Sequence, residues 1–280
     1  MFSSIGRSWE LAKSSFRVLR ADKELLIFPL LSFVALVIVL ISFAVPFVML
    51  GGISDAQEGQ VNVASYVLAF VFYLVSYTVT FFFQTALVGA AMIRLDGGDP
   101  TLGDGFRIAF SRLPQIIGYA LIAATVGMIL RWIRERAGFI GQILGGVLGF
   151  AWSIATFLVV PVLVIENVGP IEAIKRSTGL LKRTWGEQIV GNVGIGLVFG
   201  LLMFLVILLG GALCYFLFQA SVGLGIAGIV AIILLVAVIA LIASALSGIF
   251  TASIYRYATK GDGGPMYNSQ TLSAAFRQKR

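Results

Sequence analysis

Apolar residues fall along this chain in six long runs separated by short polar or basic segments. The runs are Leu25 to Leu50, Val61 to Ile93, Pro114 to Leu130, Phe139 to Ile165, Ile189 to Phe218 and Leu224 to Ile254. Each reaches the roughly 17–25 residues that a helix needs to cross a bilayer, and none shows the strict alternation of a transmembrane strand. The pattern predicts an all-α membrane protein with six transmembrane helices.

The segments ahead of the first, third and fifth runs have a different period. Phe2, Ile5, Trp9, Ala12, Phe16 and Leu19 recur at spacings of three and four, with Arg7, Lys13, Arg17 and Arg20 mainly off that stripe. Such a basic amphipathic helix, near residues 2–20, is expected to lie in the headgroup plane. Phe106, Ala109, Phe110 and Leu113, opposite Arg107 and Arg112, predict a shorter one near 104–113. Ile171 to Trp185 predicts a third, near 171–186. The first and third share R-S-x-x-L-x-K, as Arg7-Ser8-Trp9-Glu10-Leu11-Ala12-Lys13 and Arg176-Ser177-Thr178-Gly179-Leu180-Leu181-Lys182. The second, fourth and sixth runs each pass into a glycine-containing turn closed by Pro100, Pro170 or Pro265. The expected architecture is therefore three repeats of an amphipathic interfacial helix plus a two-span hairpin. Together they make one membrane domain over residues 1–260, followed by a basic, flexible tail at 261–280.

Inside the runs, Pro161 is expected to bend the fourth span. Gly141, Gly145 and Gly149 form a ridge of small residues on that span, and Gly196 and Gly200 a shorter one on the fifth; such ridges allow helix backbones to approach closely. Gln84, Gln188 and Asn192 are polar side chains in or beside the spans, suited to interhelical hydrogen bonds or to the lining of a polar pore.

Composition narrows the chemistry. At 59% hydrophobic and 12% charged, the chain departs from the roughly 45–50% apolar and ~25% charged of a soluble domain. It has no histidine, and its one cysteine, Cys214, cannot form an internal disulfide. No metal or other cofactor is implied. Asp96, Asp99 and Asp104 stand in a Gly-Gly and Asp-Pro stretch that reads as a turn, because the spacing matches no calcium loop. With Glu166 and Glu172 they are the only acids placed for surface chemistry, and no nucleophile-and-base set accompanies them, so an enzyme is not expected. The net charge of +7 belongs to the loops. Placing the amino terminus in the cytoplasm puts all the Lys and Arg inside except Arg131, Arg134 and Arg136, so both termini are expected to be cytoplasmic and nucleic acid is not expected as a partner. Arg7, Trp9, Lys13, Arg17, Arg176, Lys182, Arg183 and Trp185 are the candidate contacts to lipid headgroups.

Ser8-Trp9 with its basic helix, Phe28-Pro29-Leu30-Leu31-Ser32, Pro161-Val162-Leu163-Val164-Ile165-Glu166, and Glu172-Ala173-Ile174-Lys175-Arg176-Ser177 with Leu181-Lys182 and Trp185-Gly186 carry a resemblance. Over nearly the whole chain to about Gly261, it resembles a family of prokaryotic integral membrane proteins known only as a domain of unknown function. More distantly, it is similar to the membrane domain of some glycerophosphodiester phosphodiesterases. The phosphodiesterase's soluble domain, metal-binding histidines and acidic cluster have no counterpart here, so the resemblance implies a fold and a multi-pass place in the prokaryotic cell (inner) membrane, not that activity. The expected function is non-catalytic organisation of membrane lipids, anionic ones included, or of protein partners: a second copy of the chain or another membrane protein. The alternative is a passive transporter or channel for a small molecule or lipid.

Overall fold

The computed structural model describes residues 13–49, 63–136, 138–185 and 194–267, and among them every regular element is helical. In chain order these are α1 (residues 13–21), α2 (Ile27–Met49, entered through a 3-10 turn at Lys23–Leu26), α3 (Val63–Leu95), α4 (Leu102–Ser111) and α5 (Leu113–Arg136). They continue with α6 (Gly138–Ala155), α7 (Val159–Glu166), α8 (Pro170–Trp185), α9 (Gly194–Ala220) and α10 (Val222–Lys260). Among the described residues, six stretches are long and apolar enough to cross a membrane: Lys23–Met49, Val63–Leu95, Leu113–Arg136, Ile140–Glu166, Phe199–Ala220 and Val222–Lys260. They coincide with the six apolar runs to within several residues at most ends. The fifth run begins at Ile189, outside the described residues.

Three boundaries differ from the sequence reading for physical reasons. The third span does not stop at Leu130 but continues as helix through Arg136. Nothing in Arg131-Trp132-Ile133-Arg134-Glu135-Arg136 breaks a helix, Arg131 pairs with Glu135 one turn on at 2.6 Å, and cations suit a helix carboxyl end. The second amphipathic helix starts at Leu102, two residues early, because Thr101 caps it. The Thr101 hydroxyl accepts the Asp104 N–H, and the Asp104 carboxylate accepts the Thr101 N–H at 3.1 Å, a reciprocal capping box.

The fourth span is interrupted rather than bent, one turn before Pro161. Proline has no N–H for the carbonyl four residues back, and its ring pushes that carbonyl, at Phe157, out of line. Helix α6 accordingly ends at Ala155 and α7 begins at Val159, with Val159 N–H reaching only to Thr156 O at 3.1 Å. The Leu158 N–H is instead taken by the Ser177 hydroxyl of α8 at 3.1 Å, in a buried setting. Ser177→Ala is expected to strand that N–H and cost about 1–3 kcal/mol. Thermal melting in detergent checks this, with the half-buried Thr178→Ser change, which keeps the hydroxyl bonded to the Ile174 carbonyl, as a control that should leave the midpoint alone.

The chain divides into two compact units: Met1–Leu26, Ala91–Asp99 and Thr184–Arg280 in one, Ile27–Ala90 and Pro100–Arg183 in the other. In the second, Phe106 of α4 sits 5.4 Å from the Phe28 ring of α2 and 6.3 Å from Phe82 of α3, so the short helix is held by aromatic packing at the ends of two spans. Phe81 of α3 lies 4.4 Å from Tyr119 of α5. Helices α5 and α6 form a hairpin in which Gly145 receives the stem of Arg134 and Gly149 faces Leu130. In the first unit, α9 and α10 form a second hairpin, turned at Ser221, whose hydroxyl caps α10 by accepting the Leu224 N–H. Gly210-Gly211 does not break α9. A Cβ on Gly210 would lie 2.7 Å from Ile232 Cδ1, so this glycine admits the opposite helix.

Candidate functional site: charged clusters at the helix ends

The charged side chains gather where spans end, and each unit has its own set. In the first unit, Asp22 follows α1 and is buried, and Arg94 in the last turn of α3 donates to both of its carboxylate oxygens through Nε and Nη2. The two side chains are 21% and 9% exposed, Arg94 and Asp22 respectively. A two-pronged guanidinium–carboxylate pair of this kind fixes orientation as well as charge. Arg94 also reaches the exposed Asp99 at 3.0 Å.

Arg256, near the end of α10 and 13% exposed, is the second centre. It donates to Asp262 at 2.7 Å, to the Leu95 carbonyl at 2.7 Å and to Asp96. Lys260 adds a 2.9 Å pair with Asp96. A free carbonyl at the end of α3 is thus capped by a cation from another helix. The Arg256 guanidinium and, after it, the Gly264 N–H hold the Asp262 carboxyl below the usual carboxylate range. That contribution is present above about pH 4 and is lost as the pH falls through the depressed value.

The same unit contains a buried link between its ends in sequence: Ser15 of α1 and Tyr267 share a 2.6 Å hydrogen bond. Burial pushes the Tyr267 phenol up to about 12, partly offset by bonds to Ser15 and Ser253. A raised phenol favours the folded state below the unfolded value of about 10, and the advantage disappears as the pH rises from there through 12. Melting midpoints of wild type should therefore fall more steeply between pH 10 and 12 than those of Tyr267→Phe. Parallel curves would refute the assignment.

In the second unit, Arg112, between α4 and α5, donates through Nε and Nη2 to the Val164 carbonyl near the end of α7, at 3.3 and 3.2 Å. Gln115 donates to Asn167 Oδ1 at 3.1 Å, and Asn167 ends α7 with a left-handed backbone at φ 50°. Glu166 pairs with Arg176 of α8 at 2.9 Å. Asp104 pairs with the exposed Arg107 at 3.4 Å, and its carboxyl is lowered chiefly by the Thr101 hydroxyl. Among the described residues no group of three His, Cys, Asp or Glu could hold a metal ion.

Of the headgroup candidates, Lys13, Arg17, Arg176 and Lys182 are exposed, with Arg17 donating to Ser14 Oγ at 2.9 Å. Arg7 and Trp9 lie outside the described residues, and Arg183 and Trp185 belong to α8, which carries their backbone. Gly141 and Gly145 are buried in the α5–α6 hairpin and Gly149 is half-buried there, Gly200 is exposed on α9, and Gly196 belongs to the same helix. Gln84 is exposed on α3. Gln188 and Asn192 lie outside the described residues. The side chains that sequence reading passed over are Asp22, Arg94, Arg256 and Ser177. A capping-box signature, Thr101-x-x-Asp104, could have placed α4, but no local pattern announces a pair 72 residues apart in sequence.

A family model described as a family of unknown function (DUF6159) matches residues 63–265, and the chain belongs to that family. No curated protein matches the chain.

Proposed function

We propose that this DUF6159 member is a non-catalytic membrane protein whose interfacial helices organise lipids, anionic ones above all, or protein partners at one membrane face. The observation that carries the reading is what the charged groups do. Asp22, Arg94, Asp96, Arg256 and Asp262 neutralise one another and cap helix ends, as Glu166 does with Arg176, which is how a scaffold uses charge. Lys175 and Lys182, by contrast, are exposed on α8. Each cation at an anionic leaflet gains on the order of 1 kcal/mol, so a few together hold a headgroup.

The chain sits in the inner membrane of a prokaryotic cell with both termini cytoplasmic, as three repeats of an interfacial helix and a hairpin. The Lys and Arg distribution supports that orientation. The ion pairs that join the end of α1 and the end of α10 to the end of α3 support both termini lying at the same face, since elements joined in this way share one. In a Cys214→Ala background, cysteines at Ser54 and Ser221 are expected to label from outside intact cells and one at Thr178 only after permeabilisation. The reverse pattern would overturn the orientation.

Native mass spectrometry tests the lipid reading. A Lys175→Ala, Lys182→Ala variant should retain less phosphatidylglycerol and cardiolipin than wild type, with topology intact. Equal retention would remove lipid organisation by α8. Flux or lipid scrambling by the protein in liposomes would replace the scaffold with a passive transporter or channel.

A further inference from the structure

The last turns of α5 carry Arg131, Arg134 and Arg136, three cations gathered against the charge asymmetry of the rest of the chain. The other end of α5 lies at α7 and α8: Arg112 reaches the Val164 carbonyl, and a Cβ on Gly118 would lie 2.9 Å from Pro170 Cγ. From Leu113 to Arg131 is about 27 Å of helix, which brings the arginines to the opposite boundary of a ~30 Å hydrocarbon core. All three are exposed, and each is held in place. Arg131 joins Glu135 to the Tyr73 hydroxyl of α3, the latter at 3.2 Å. The Arg134 stem lies along α6 in the space that Gly145 leaves, where a Cβ would meet its Cδ at 3.1 Å and its Nε at 3.2 Å. Arg136 stands over the Trp132 ring, 5.8 Å from its centre. Among the described residues Arg134 and Arg136 are in no ion pair, so two positioned guanidiniums keep their donors open.

The neighbouring spans do not stop at this level. Phe72, next to the Tyr73 that Arg131 holds, packs on Phe43 of α2 at 5.6 Å. Past that pair α2 runs on for about 9 Å to Met49 and α3 for about 14 Å to Val63, without a charged residue. Met49 is 82% and Val63 75% exposed. The arginines are thus set among apolar helix ends that reach farther out than they do. A cation at such a depth needs an anion or water beside it, and the anion that arrives with apolar surface is the phosphate of a lipid. We propose that Arg134 and Arg136 bind phospholipid phosphate at the tip of the α5–α6 hairpin, with the lipid chains against exposed apolar side chains such as Trp132 and Ile140. Arginine suits the task, because its planar fork takes phosphate oxygens two at a time. Stems already held by Gly145 and Trp132 have less rotamer freedom to lose on binding. The site lies at the membrane face opposite α8 and so goes beyond the lipid reading given to that helix.

Native mass spectrometry of the full chain tests this in a Lys175→Ala, Lys182→Ala background, so that the comparison does not depend on α8. The probes are phosphatidylglycerol, diacylglycerol of the same chains, and inorganic phosphate. Arg134→Gln, Arg136→Gln should weaken phosphatidylglycerol binding roughly 30-fold, the loss of two cations at a lipid phosphate, and leave diacylglycerol binding unchanged. Gly145→Ala keeps every charge but displaces the Arg134 stem, and it should weaken phosphatidylglycerol binding too. Gly146→Ala, where a Cβ meets nothing within 4 Å, should not. Unchanged phosphatidylglycerol binding in the arginine variant or in Gly145→Ala, an equal loss of diacylglycerol, or inorganic phosphate bound as tightly as the lipid would overturn the proposal.

Discussion

Arg94→Ala is expected to destabilise the folded chain by about 3 kcal/mol and to raise the fraction that aggregates or is degraded on expression. The argument runs through Asp22. That carboxylate is 9% exposed, and both of its oxygens are occupied by Arg94. Removing one partner of a buried pair leaves the other charge desolvated without compensation, at about 3–5 kcal/mol. The low end applies because Arg94 itself keeps a fifth of its surface in water. Asp22→Ala should cost less, since Arg94 retains Asp99 at 3.0 Å. Replacing both with leucine should recover much of the loss, because a neutral pair has no charge to strand. Denaturant or thermal unfolding of the four proteins in detergent checks the order, and a double variant no better than Arg94→Ala would show that charge neutralisation is not what the pair contributes.

The consequences extend past one pair, because Arg94 lies in the last turn of α3 and Asp22 between α1 and the entry to the first span. A break there unties α1 from the end of α3, next to the Asp96 that Arg256 holds, and leaves it its buried Ser15 bond to Tyr267. These contacts join α1, which carries the exposed Lys13 and Arg17, to the ends of α3 and α10. Loss of stability and loss of lipid retention are therefore expected together in Arg94→Ala, whereas Lys175→Ala, Lys182→Ala should lose lipid alone.

Local periodicity made the spans and the amphipathic helices legible in the sequence, since a run such as Leu224 to Ile254 needs no partner to declare itself. Pro161 announced a disturbance in the fourth span. It could not say that the break would open one turn earlier, because that depends on the carbonyl four residues back and on Ser177 arriving from another helix. Asp96 and Asp99 looked like turn residues, and they are, but their charges serve Arg256, Lys260 and Arg94. Asp96 and Arg256 are 160 residues apart. A charge's partner at that distance is set by tertiary packing, which composition and spacing do not encode. Gly145 illustrates the intermediate case: its place in a small-residue ridge was visible, while the occupant of the groove, the stem of a charged Arg134, was not.

Gly105→Leu is expected to be the most damaging single change in α4, at about 3 kcal/mol or more. Gly105 lies in a helix, where glycine is worse than alanine by about 1 kcal/mol, so propensity alone would favour a substitution. Packing opposes it. A Cβ would collide with Phe28 Cζ and sit 2.9 Å from the Ala86 carbonyl oxygen. The ring could rotate away only by leaving Phe106, 5.4 Å from its centre, and the carbonyl is part of the α3 backbone and cannot move without bending that span. Overpacking of this kind costs about 1–3 kcal/mol for a few extra methyl groups in a tight core, and leucine adds more than that. Two residues earlier, Gly103 is exposed and a Cβ there meets only Thr101 Oγ1 at 3.6 Å. Gly103→Ala should therefore stabilise α4 by up to about 1 kcal/mol. Melting midpoints moving in opposite directions for the two variants would establish that α4 is held by close approach to α2 and α3. A tolerated Gly105→Leu would instead mean that the helix rests loosely on the membrane surface and that its aromatic cluster contributes little.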